Sequence, residues 1–568
     1  MKYPLLIRCI GLVWWLGLLP YGSAAQAWQW AVAPSNSPVS YSEITAMAPD
    51  PDGTTVVAGS FSGTIVLGPF TLTSSGLVDL FVARLDGAGN WLQAVRAGTN
   101  SVCRATALVV EADGTVVVGG AFSGLTIGFG PFTLANADNL GLGSTSDAFV
   151  ARLSRAGAWV QAVRAGGTSL EEVTTLALDG QGNVVVGGYF VSAVAAFGAL
   201  QLTNANPGTS SFGTDDIFVA RLTRAGTWVQ AVRAGGLGHD YPTDVVLEAD
   251  GTLVVAGNFF SPVAAFGAIL LPNAGQEADV FVARLSPAGI WTTALRTGGP
   301  HYDSVSDIAL APDGSLVVAG SFNGPATTIG NFTLLNADNT GTYFDAYVAR
   351  LTRAGAWTQA VRGGSTSSDG ATRLAVNPDG SVAVAGYFSG SAAFGPFTPR
   401  SVGGTDIYVA RLSAAGQWTR WQQAGGAGED GVLGFYQRDS TNFTLAGRIG
   451  KPAAQFGPFT LANRNDLFPN AYVAHYRTAV VGAAPAEFAL PNIITPNGDG
   501  LNDVFRFGNA PLTKVTLHIF TRWGQQVYAS TDYQQDWNAA GLPAGLYYYD
   551  VVPAKEGKSV KGWLEVVR

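Results

Sequence analysis

The phrase FVARL, at Phe81–Leu85, recurs along most of the chain and indicates how the chain folds. Its apolar residues fall on both faces of an extended strand, which indicates a strand covered on both sides. The same phrase or a near copy covers Phe149–Leu153, Phe218–Leu222, Phe281–Leu285, Tyr347–Leu351, Tyr408–Leu412 and Tyr472–Tyr476. Repetition of this kind predicts a fold built from stacked copies of one unit.

A second phrase, WVQAVRAGG or a variant of it, follows each of the first six copies after a short turn. Its tryptophans are Trp91, Trp159, Trp228, Trp291, Trp357 and Trp418. The last copy lacks this partner, but Trp28–Pro34 reads WQWAVAP and supplies a seventh one near the start of the chain. We therefore predict that Trp28–Pro34 pairs with the seventh copy and closes a ring of blades.

Each repeat also contains two earlier strands joined by a tight turn. In the second repeat, Ala107–Val110 and Val116–Gly119 flank Asp113-Gly114, a dipeptide that tolerates the positive φ of hairpin turns. The repeat exceeds the usual period of about 40–50 residues because it carries an inserted hairpin phrase, FGPFTL or similar. This insertion lies between the second and third strands.

Four strands per repeat predict an all-β fold, a seven-bladed β-propeller closed by an N-terminal strand. The composition agrees, since 13% of residues are charged and Gly is abundant. An open sandwich is the alternative, but a displaced N-terminal strand has no purpose there. The repeated arginines, Arg84 and its counterparts, are expected to pair with repeated acids such as Asp79 or with carbonyl groups between blades.

The repeats end near Val480, and a different pattern follows. Residues 480–487 read as a linker of small residues, and residues 488–568 show alternating strands with Gly/Pro turns. This pattern predicts a small C-terminal β-sandwich, Ig-like in type, with Trp523, Trp537 and Tyr548 in its core.

The repeat phrases resemble bacterial β-propeller repeats of the SBBP type over about Trp28–Arg477. The features that match are D-x-FVARL, a turn, W-x-x-A-x-x-x-GG and a Val-rich hairpin. Such repeats occur in many surface and secreted bacterial proteins. The resemblance therefore implies an architecture and no particular activity.

The last domain contains the segments TPNGDGLND, IFTRWGQQVY and PAGLYYY and a characteristic end of the chain. In these segments it resembles the gliding motility-associated, type B sorting domain of type IX secretion. The residues that carry the motif are Pro496, Asn497, Gly498, Asp499, Gly500, Asn502, Asp503, Trp523, Gly524, Trp537 and Arg568. The resemblance implies that the type IX secretion machinery is a partner, and that the protein reaches the outer face of the outer membrane or the extracellular space.

The first residues have the pattern of a secretory signal peptide. Lys2 and Arg8 flank a positive region, Ile10–Leu19 is apolar, and Ala25-Gln26-Ala27 offers a cleavage site. The apolar stretch is shorter than the roughly 20 residues that span a bilayer, so we expect no transmembrane segment in the mature chain. The predicted domains are a signal peptide at 1–27, a propeller at 28–479, a linker at 480–487 and a sorting domain at 488–568.

Charge and cysteine content restrict the function further. The net charge is -8 and no basic run occurs, so nucleic acid is not an expected partner. Only Cys103 remains after signal cleavage, so we expect no intramolecular disulfide. We expect a monomer.

Unusual residues concentrate in the blade-to-blade loops, which share one rim of the predicted propeller with the long insertions. The candidate ligand-binding residues are His239, Asp240, Tyr241, His301, Tyr302, Asp303, Asp369 and Asp430. The leading hypothesis is a noncatalytic binding or adhesion scaffold for an extracellular glycan or envelope protein. One alternative is a polysaccharide-degrading enzyme that uses rim carboxylates. The other is a purely structural envelope component.

The segment Asn497–Asp503 leaves two interpretations open. Asn497, Asp499 and Asp503 offer oxygen ligands of the kind that Ca²⁺ prefers. The same residue types are also what a tight turn requires, and the turn is the favoured interpretation. No other cofactor is expected.

Overall fold

The computed structural model describes residues 26–36, 40–138, 145–207, 213–465, 468–478, 493–498, 502–506, 515–553 and 560–568. Within these ranges the secondary structure is all-β and contains no helix. The chain divides into a compact unit at Gln26–Thr478 and a second unit that includes Ala479–Arg568. Most of the predicted signal peptide and all of the predicted linker, 480–487, lie outside the described residues.

The described part of the larger unit contains seven sets of four antiparallel strands, numbered here as sheets along the chain. In each sheet the strands are called inner, second, third and outer. Sheet one comprises Ser42–Pro49, Thr55–Phe61, Asp79–Leu85 and Trp91–Ala97, and sheet two comprises Cys103–Val110, Val116–Phe122, Asp147–Leu153 and Trp159–Ala165. Sheet three comprises Glu171–Leu178, Val184–Phe190, Asp216–Leu222 and Trp228–Ala234, and sheet four comprises Asp240–Leu247, Leu253–Phe259, Asp279–Leu285 and Trp291–Thr297. Sheet five comprises Asp303–Leu310, Leu316–Phe322, Asp345–Leu351 and Trp357–Gly363, and sheet six comprises Gly370–Val376, Val382–Phe388, Asp406–Leu412 and Trp418–Gly426. Sheet seven comprises Gly431–Asp439, Asn442–Ile449, Asn470–Thr478 and Gln26–Val32.

The outer strand of sheet seven comes from the start of the described chain. Gln26–Val32 pairs antiparallel with the third strand of that sheet, with Trp28 opposite Tyr476 and Val32 opposite Val473. The Trp28 ring packs edge-on against Phe456 at 5.1 Å. This pairing is the one that the N-terminal WQWAVAP phrase predicts, but the strand begins two residues earlier than predicted, at Gln26, and ends at Val32 and not at Pro34.

The insertions between second and third strands form hairpins in most repeats. The strand pairs of these hairpins are Thr64–Leu67 and Phe70–Thr73, Thr126–Phe129 and Phe132–Ala135, Val194–Phe197 and Leu200–Thr203, Val263–Phe266 and Ile269–Pro272, Ala326–Ile329 and Phe332–Leu335, and Ala453–Phe456 and Phe459–Ala462. The two-residue strand Ser35–Asn36 pairs with the first hairpin. The last hairpin extends sheet six. A hairpin phenylalanine packs against the tryptophan of the outer strand, as Phe197 does against Trp228 at 5.4 Å. The tryptophans of the second phrase thus anchor the insertions.

Hydrophobic cores lie between consecutive sheets. The core between sheets one and two joins Val56 and Val82 to Val118 and Phe122, for example. A core of the same kind joins sheet seven to sheet one, where Trp30, Ala446 and Val473 pack with Phe61 and Phe81. Burial on both faces explains why the FVARL strands carry apolar residues at successive positions.

The repeated arginines do not pair with the acids named for them. Asp79 instead forms an ion pair with Arg96 of the outer strand, at 2.6 Å. Arg84 binds Asp50 and the carbonyl oxygen of Gly114 in the next sheet. The reason is distance, because Asp79 and Arg84 lie at opposite ends of one strand, about 16 Å apart. The expected bond to a carbonyl group between sheets is present.

The smaller unit has one five-stranded sheet among its described residues. Its strands, in sheet order, are Ile493–Ile494, Val560–Val566, Gly545–Pro553, Val515–Thr521 and Gln526–Ser530. One face carries a hydrophobic core that includes Leu517, Trp537 and Leu564. The described residues contain no second sheet, so the predicted sandwich is not seen in them.

Two of the three aromatic residues predicted for this core are exposed. Trp537 is buried, but Trp523 is 81% exposed and Tyr548 is 44% exposed. Trp523 lies in the turn between two strands, where no neighbouring element among the described residues covers it, and the Arg522 guanidinium lies 4.7 Å from its ring. Tyr548 follows buried Tyr547, and alternation along the strand places it on the opposite face.

Candidate functional site

The structure buries the four candidate carboxylates that the sequence placed in blade-to-blade loops: Asp240 and Asp303 are the first residues of inner strands, and Asp369 and Asp430 directly precede one. Asp240, Asp303, Asp369 and Asp430 are at most 3% exposed. Their oxygens accept hydrogen bonds from backbone N–H groups: Gly236 donates to Asp240 at 2.7 Å, and Gly299 donates to Asp303 at 2.6 Å. These carboxylates therefore fix the loops between sheets, and their oxygens do not face a ligand surface.

Each of these acids lies beside a second buried carboxylate from the preceding sheet. Asp279 begins the third strand of sheet four, and its Oδ1 atom lies against Gly298 together with the Asp303 carboxylate. Five such oxygens are buried with no hydrogen-bond partner among the described residues: Asp147 Oδ1, Asp216 Oδ1, Asp279 Oδ1, Asp345 Oδ1 and Asp406 Oδ1. Their neighbours are Glu171, Asp240, Asp303, Asp369 and Asp430 respectively.

The second acid of each pair has a raised pKa. Burial, together with the neighbouring carboxylate, raises the pKa of Asp303 and Asp369 to about 7. The pKa of Asp240 rises to about 6 for the same reasons. A proton held by the second acid gives the unpartnered oxygen of the first acid a donor.

We expect the protein to become less stable as the pH rises from about 5 to about 8. A carboxyl group whose folded pKa is raised above its unfolded value of about 4 stabilises the folded state at low pH, and loses that effect as pH rises through the folded pKa. A tenfold change in the affinity of a carboxylate for its proton corresponds to about 1.4 kcal/mol, so the free energy of unfolding should fall by at least about 2 kcal/mol. Urea unfolding at several pH values measures this.

The Asp303→Asn variant tests whether the pairs are responsible. Its pH slope should be smaller than that of the wild type, because one titrating group is gone. Glu277→Gln, at an exposed carboxylate in the insertion of the preceding repeat, is the matched control. Equal stability at pH 5 and pH 8 in the wild type would contradict the shared-proton interpretation.

The aromatic residues predicted for the rim do come together. The hydroxyl groups of Tyr241 and Tyr302, from sheets four and five, are 3.3 Å apart. The Tyr302 ring also packs edge-on against Phe260 and Phe344, at 5.8 and 5.7 Å. These four rings form a half-buried aromatic cluster across two sheets.

The two candidate histidines take separate positions. His239 Nδ1 lies 3.1 Å from a carboxylate oxygen of Asp215, and its side chain is half exposed. The ring of His301 is exposed and lies against Gly324. Each histidine thus contacts a different partner. No group of three or more metal-binding side chains occurs in the described part of the chain.

The inner strands contain a site that the rim hypothesis did not include. All seven inner strands line one cavity of about 270 Å³, called here the central cavity. Each inner strand has a β-bulge at this cavity, and the residue directly after each bulge is part of the lining. Bulges commonly redirect a side chain. The seven equivalent residues are Ala46, Ala107, Thr175, Asp244, Asp307, Arg373 and Gly434.

At the position after the bulge, sheets four, five and six thus place charged side chains in the cavity lining. The other four sheets have a neutral residue there. Asp244 accepts a hydrogen bond from Thr175 Oγ1 at 2.9 Å, and Asp307 accepts one from the Leu374 N–H group at 2.6 Å. The two carboxyl groups also share a hydrogen bond. Burial, followed by the charge of Asp244, raises the pKa of Asp307, so a proton between the two acids is favoured.

Arg373 is the cation of this group. Its guanidinium donates to the carbonyl oxygen of Thr372 at 2.9 Å. It forms no ion pair within 4 Å among the described residues. Its remaining N–H groups are therefore available to a ligand in the central cavity.

The sequence held a signal for this site. Departures from the repeat mark asymmetric positions, and Asp244, Asp307 and Arg373 depart from small residues in the other repeats. We expected residues that differ between repeats to matter in the loops and not in the inner strands. The reason is that no sequence pattern indicates the bulge that turns these side chains inward.

The sorting-domain motif forms a turn stabilised by hydrogen bonds. Asp503 Oδ1 accepts from the N–H groups of Asn497 and Gly498, at 3.0 and 2.8 Å. Gly498 has a φ of 82°, which favours glycine. This geometry agrees with the turn interpretation; Asp499 and Gly500 lie outside the described residues.

The other motif residues hold the domain together or lie at its surface. Arg568 donates to the carbonyl oxygen of Ala539 at 2.7 Å, and the N–H group of Trp537 donates to the Tyr533 hydroxyl at 3.0 Å. Gly524 occupies the exposed turn after Trp523 with a φ of 81°. The motif is thus largely a set of turn and anchoring residues.

Comparisons with protein families identify two parts of the chain. Residues 488–566 match the model of the CHU_C type IX secretion signal domain. Residues 37–67 and 293–324 match the WD domain, G-beta repeat, which is a propeller repeat. The finer assignment to the SBBP type stays a prediction.

A curated relative and several solved structures are similar to parts of the chain. Regulatory protein FlaEY of Caulobacter vibrioides is 28% identical over 327 residues, 54% of this chain and 33% of that protein. The chain thus spans about a third of the length of this relative. A Dyadobacter fermentans protein of unknown function is 10% identical with a TM-score of 0.35, over 80% of this chain and 98% of its own.

Two further solved structures are similar at the same low level. The β-propeller domain of the Trilobed protease from Pyrococcus furiosus is 8% identical with a TM-score of 0.34, over 75% of this chain and 99% of its own. PorZ, a surface component of the type IX secretion system of Porphyromonas gingivalis, is 10% identical with a TM-score of 0.21, over 92% and 93%. Likeness at these scores says nothing about function.

The secretion signal domain supports export to the cell surface or the extracellular space. Among the described residues, none belongs to a long apolar helix of the kind that crosses a bilayer. The chain is therefore all-β in its described residues, contains β-propeller repeats and carries a type IX secretion signal domain at residues 488–566.

Proposed function

We propose that this protein is a noncatalytic binding propeller, delivered to the cell surface or beyond by type IX secretion, and that it binds an extracellular glycan. In this proposal the seven sheets are the blades of a closed ring of the SBBP type, sealed by the strand Gln26–Val32. The protein acts as a monomer after removal of the signal peptide at residues 1–27.

The observation that carries the proposal is the asymmetry of the inner strands. A scaffold that only filled space would have no use for Asp244, Asp307 and Arg373 at a position where other repeats have Ala, Thr or Gly. Charged side chains beside a cavity are costly unless they are paired or serve a ligand. Carboxyl, guanidinium and hydroxyl groups are also the groups that hydrogen-bond sugar hydroxyls.

The half-buried aromatic cluster gives further support. Tyr241 belongs to the same inner strand as Asp244, and its hydroxyl meets that of Tyr302 in the next sheet. Aromatic faces with a polar edge are common in binding sites, because they offer apolar area and a hydrogen-bonding group together.

The enzyme alternative has weaker support. Glycoside hydrolysis needs two carboxyl groups roughly 5 to 10 Å apart around the bond that is cleaved. Asp240 and Asp303 have their oxygens bound to backbone N–H groups. Asp244 and Asp307 share a hydrogen bond, so they are too close to enclose a sugar between them.

The test is to incubate the purified mature protein with a panel of extracellular polysaccharides and to score both retention and cleavage. Retention on at least one polymer, with no new reducing ends, is the expected result. Release of reducing ends would favour the enzyme. No retention on any polymer would favour the structural component, or a binder of an envelope protein, which surface pull-downs would then identify.

Calcium at Asn497, Asp499 and Asp503 is a separate proposal with its own test. If Ca²⁺ binds this segment, calcium should raise the melting temperature of the smaller unit and EDTA should reverse that change. An unchanged melting temperature would leave the turn interpretation, in which the Asp503 carboxylate is used by backbone N–H groups.

A further inference from the structure

We infer that the central cavity binds one terminal sugar ring of an uncharged glycan, with Arg373 as its main hydrogen-bond donor. This inference rests on the proposed glycan-binding function and names the substrate class of the same site. It is carried by the size of the cavity, the balance of its charges and the state of its hydrogen-bonding groups.

The size of the cavity limits what enters it. The seven inner strands line a cavity of about 270 Å³ that is open to solvent on part of its surface. Sites for drug-sized ligands usually measure about 300–1,000 Å³. The central cavity therefore has room for about one sugar ring, which the end of a glycan chain can present without the rest of the chain entering.

The charges of the lining favour a ligand with no net charge. Asp244 and Asp307 hold at least one negative charge between them, which would repel an anionic ligand in the cavity. The charge of Arg373 reaches Asp307 and would repel a cationic ligand. A polyhydroxyl ring meets neither penalty, because each hydroxyl group both donates and accepts hydrogen bonds.

The hydrogen-bond donors of the lining divide into those already used and two that are still available among the described residues, the Arg373 guanidinium and the Ser306 hydroxyl. Thr174 Oγ1 donates to the Pro242 carbonyl oxygen at 2.8 Å, and Thr175 Oγ1 donates to Asp244 at 2.9 Å. Asp307 accepts from the Leu374 N–H group. Arg373 donates within its own strand and retains further N–H groups, so a sugar would gain most from this side chain.

Arg373→Ala is the variant that separates ligand binding from folding. The chain itself has alanine at the equivalent position of sheets one and two, Ala46 and Ala107, so the variant should fold. An unchanged melting temperature would verify this. Arg400→Ala is the matched control, since Arg400 is an exposed arginine of the same repeat that does not line the central cavity.

The experiment uses the full mature protein on an array of neutral, uronate-bearing and sulfated oligosaccharides attached through their reducing ends. Free glucose, galactose, mannose, xylose and N-acetylglucosamine serve as competitors. We expect binding to neutral glycans, competition by the sugar that matches the terminal ring, and an affinity about tenfold weaker in Arg373→Ala. The Arg400→Ala variant should bind as the wild type does.

Three results would overturn the inference. Neutral glycans bound equally well by Arg373→Ala and wild type would place the ligand elsewhere while the proposed function stood. Binding restricted to charged glycans would contradict the uncharged ligand. Binding to no glycan at all would remove the inference and the proposed function together.

Discussion

A chain that lacks residues 488–568 is expected to lose surface delivery almost completely and to accumulate between the two membranes. The removed segment includes all of the type IX secretion signal domain. Because the larger unit is compact without it, the truncated protein should still fold. Cell fractionation in a bacterium with type IX secretion, with surface protein measured by protease accessibility, should show almost no truncated protein at the surface.

The folding of the truncated protein is the control for this experiment. Its melting temperature should equal that of the larger unit in the full chain, so that lost delivery is not a consequence of misfolding. Undiminished surface protein in the truncated strain would refute the role of this domain as a sorting signal.

The Trp28→Ala variant is expected to lose about 3 to 5 kcal/mol of unfolding free energy, the usual cost of removing a buried large aromatic side chain. Trp28 is 6% exposed and contacts Phe443, Phe456 and Tyr476. The loss should be cooperative, because the strand that carries Trp28 completes sheet seven and joins distant parts of the chain. Denaturant unfolding followed by tryptophan fluorescence measures it.

Trp523→Ala is the matched control, since this tryptophan is 81% exposed. Its unfolding free energy should change by less than about 0.5 kcal/mol. A small loss in Trp28→Ala, comparable to that of Trp523→Ala, would show that the N-terminal strand does not hold the unit together.

Much of the strand layout could be predicted from the sequence, for a local reason. The FVARL phrase and the tryptophan phrase carry the residue pattern of covered strands, and Asp113-Gly114 carries its turn. Gly114 has the expected positive φ, 82°. The mismatch between seven copies of one phrase and six of the other indicated the partner of Trp28, which does pair with the seventh copy.

The candidate site was less predictable, because it depends on contacts between distant residues. The sequence placed Asp240 and Asp303 in loops, and a carboxylate in a loop is ordinarily solvated. The structure supplies backbone N–H groups from Gly236 and Gly299 that bind both side chains in buried positions. Only Tyr241 and Tyr302, among the predicted rim residues, were brought into contact with one another.

The order of strands, the tight turns and the identity of the secretion signal were determined by the sequence itself, because each is written in neighbouring residues. The tertiary structure alone decided which side chains share the central cavity. Asp244, Asp307 and Arg373 are separated by more than sixty residues from one to the next. They meet because a bulge in each inner strand turns them toward the same cavity, and a bulge depends on how two strands pair.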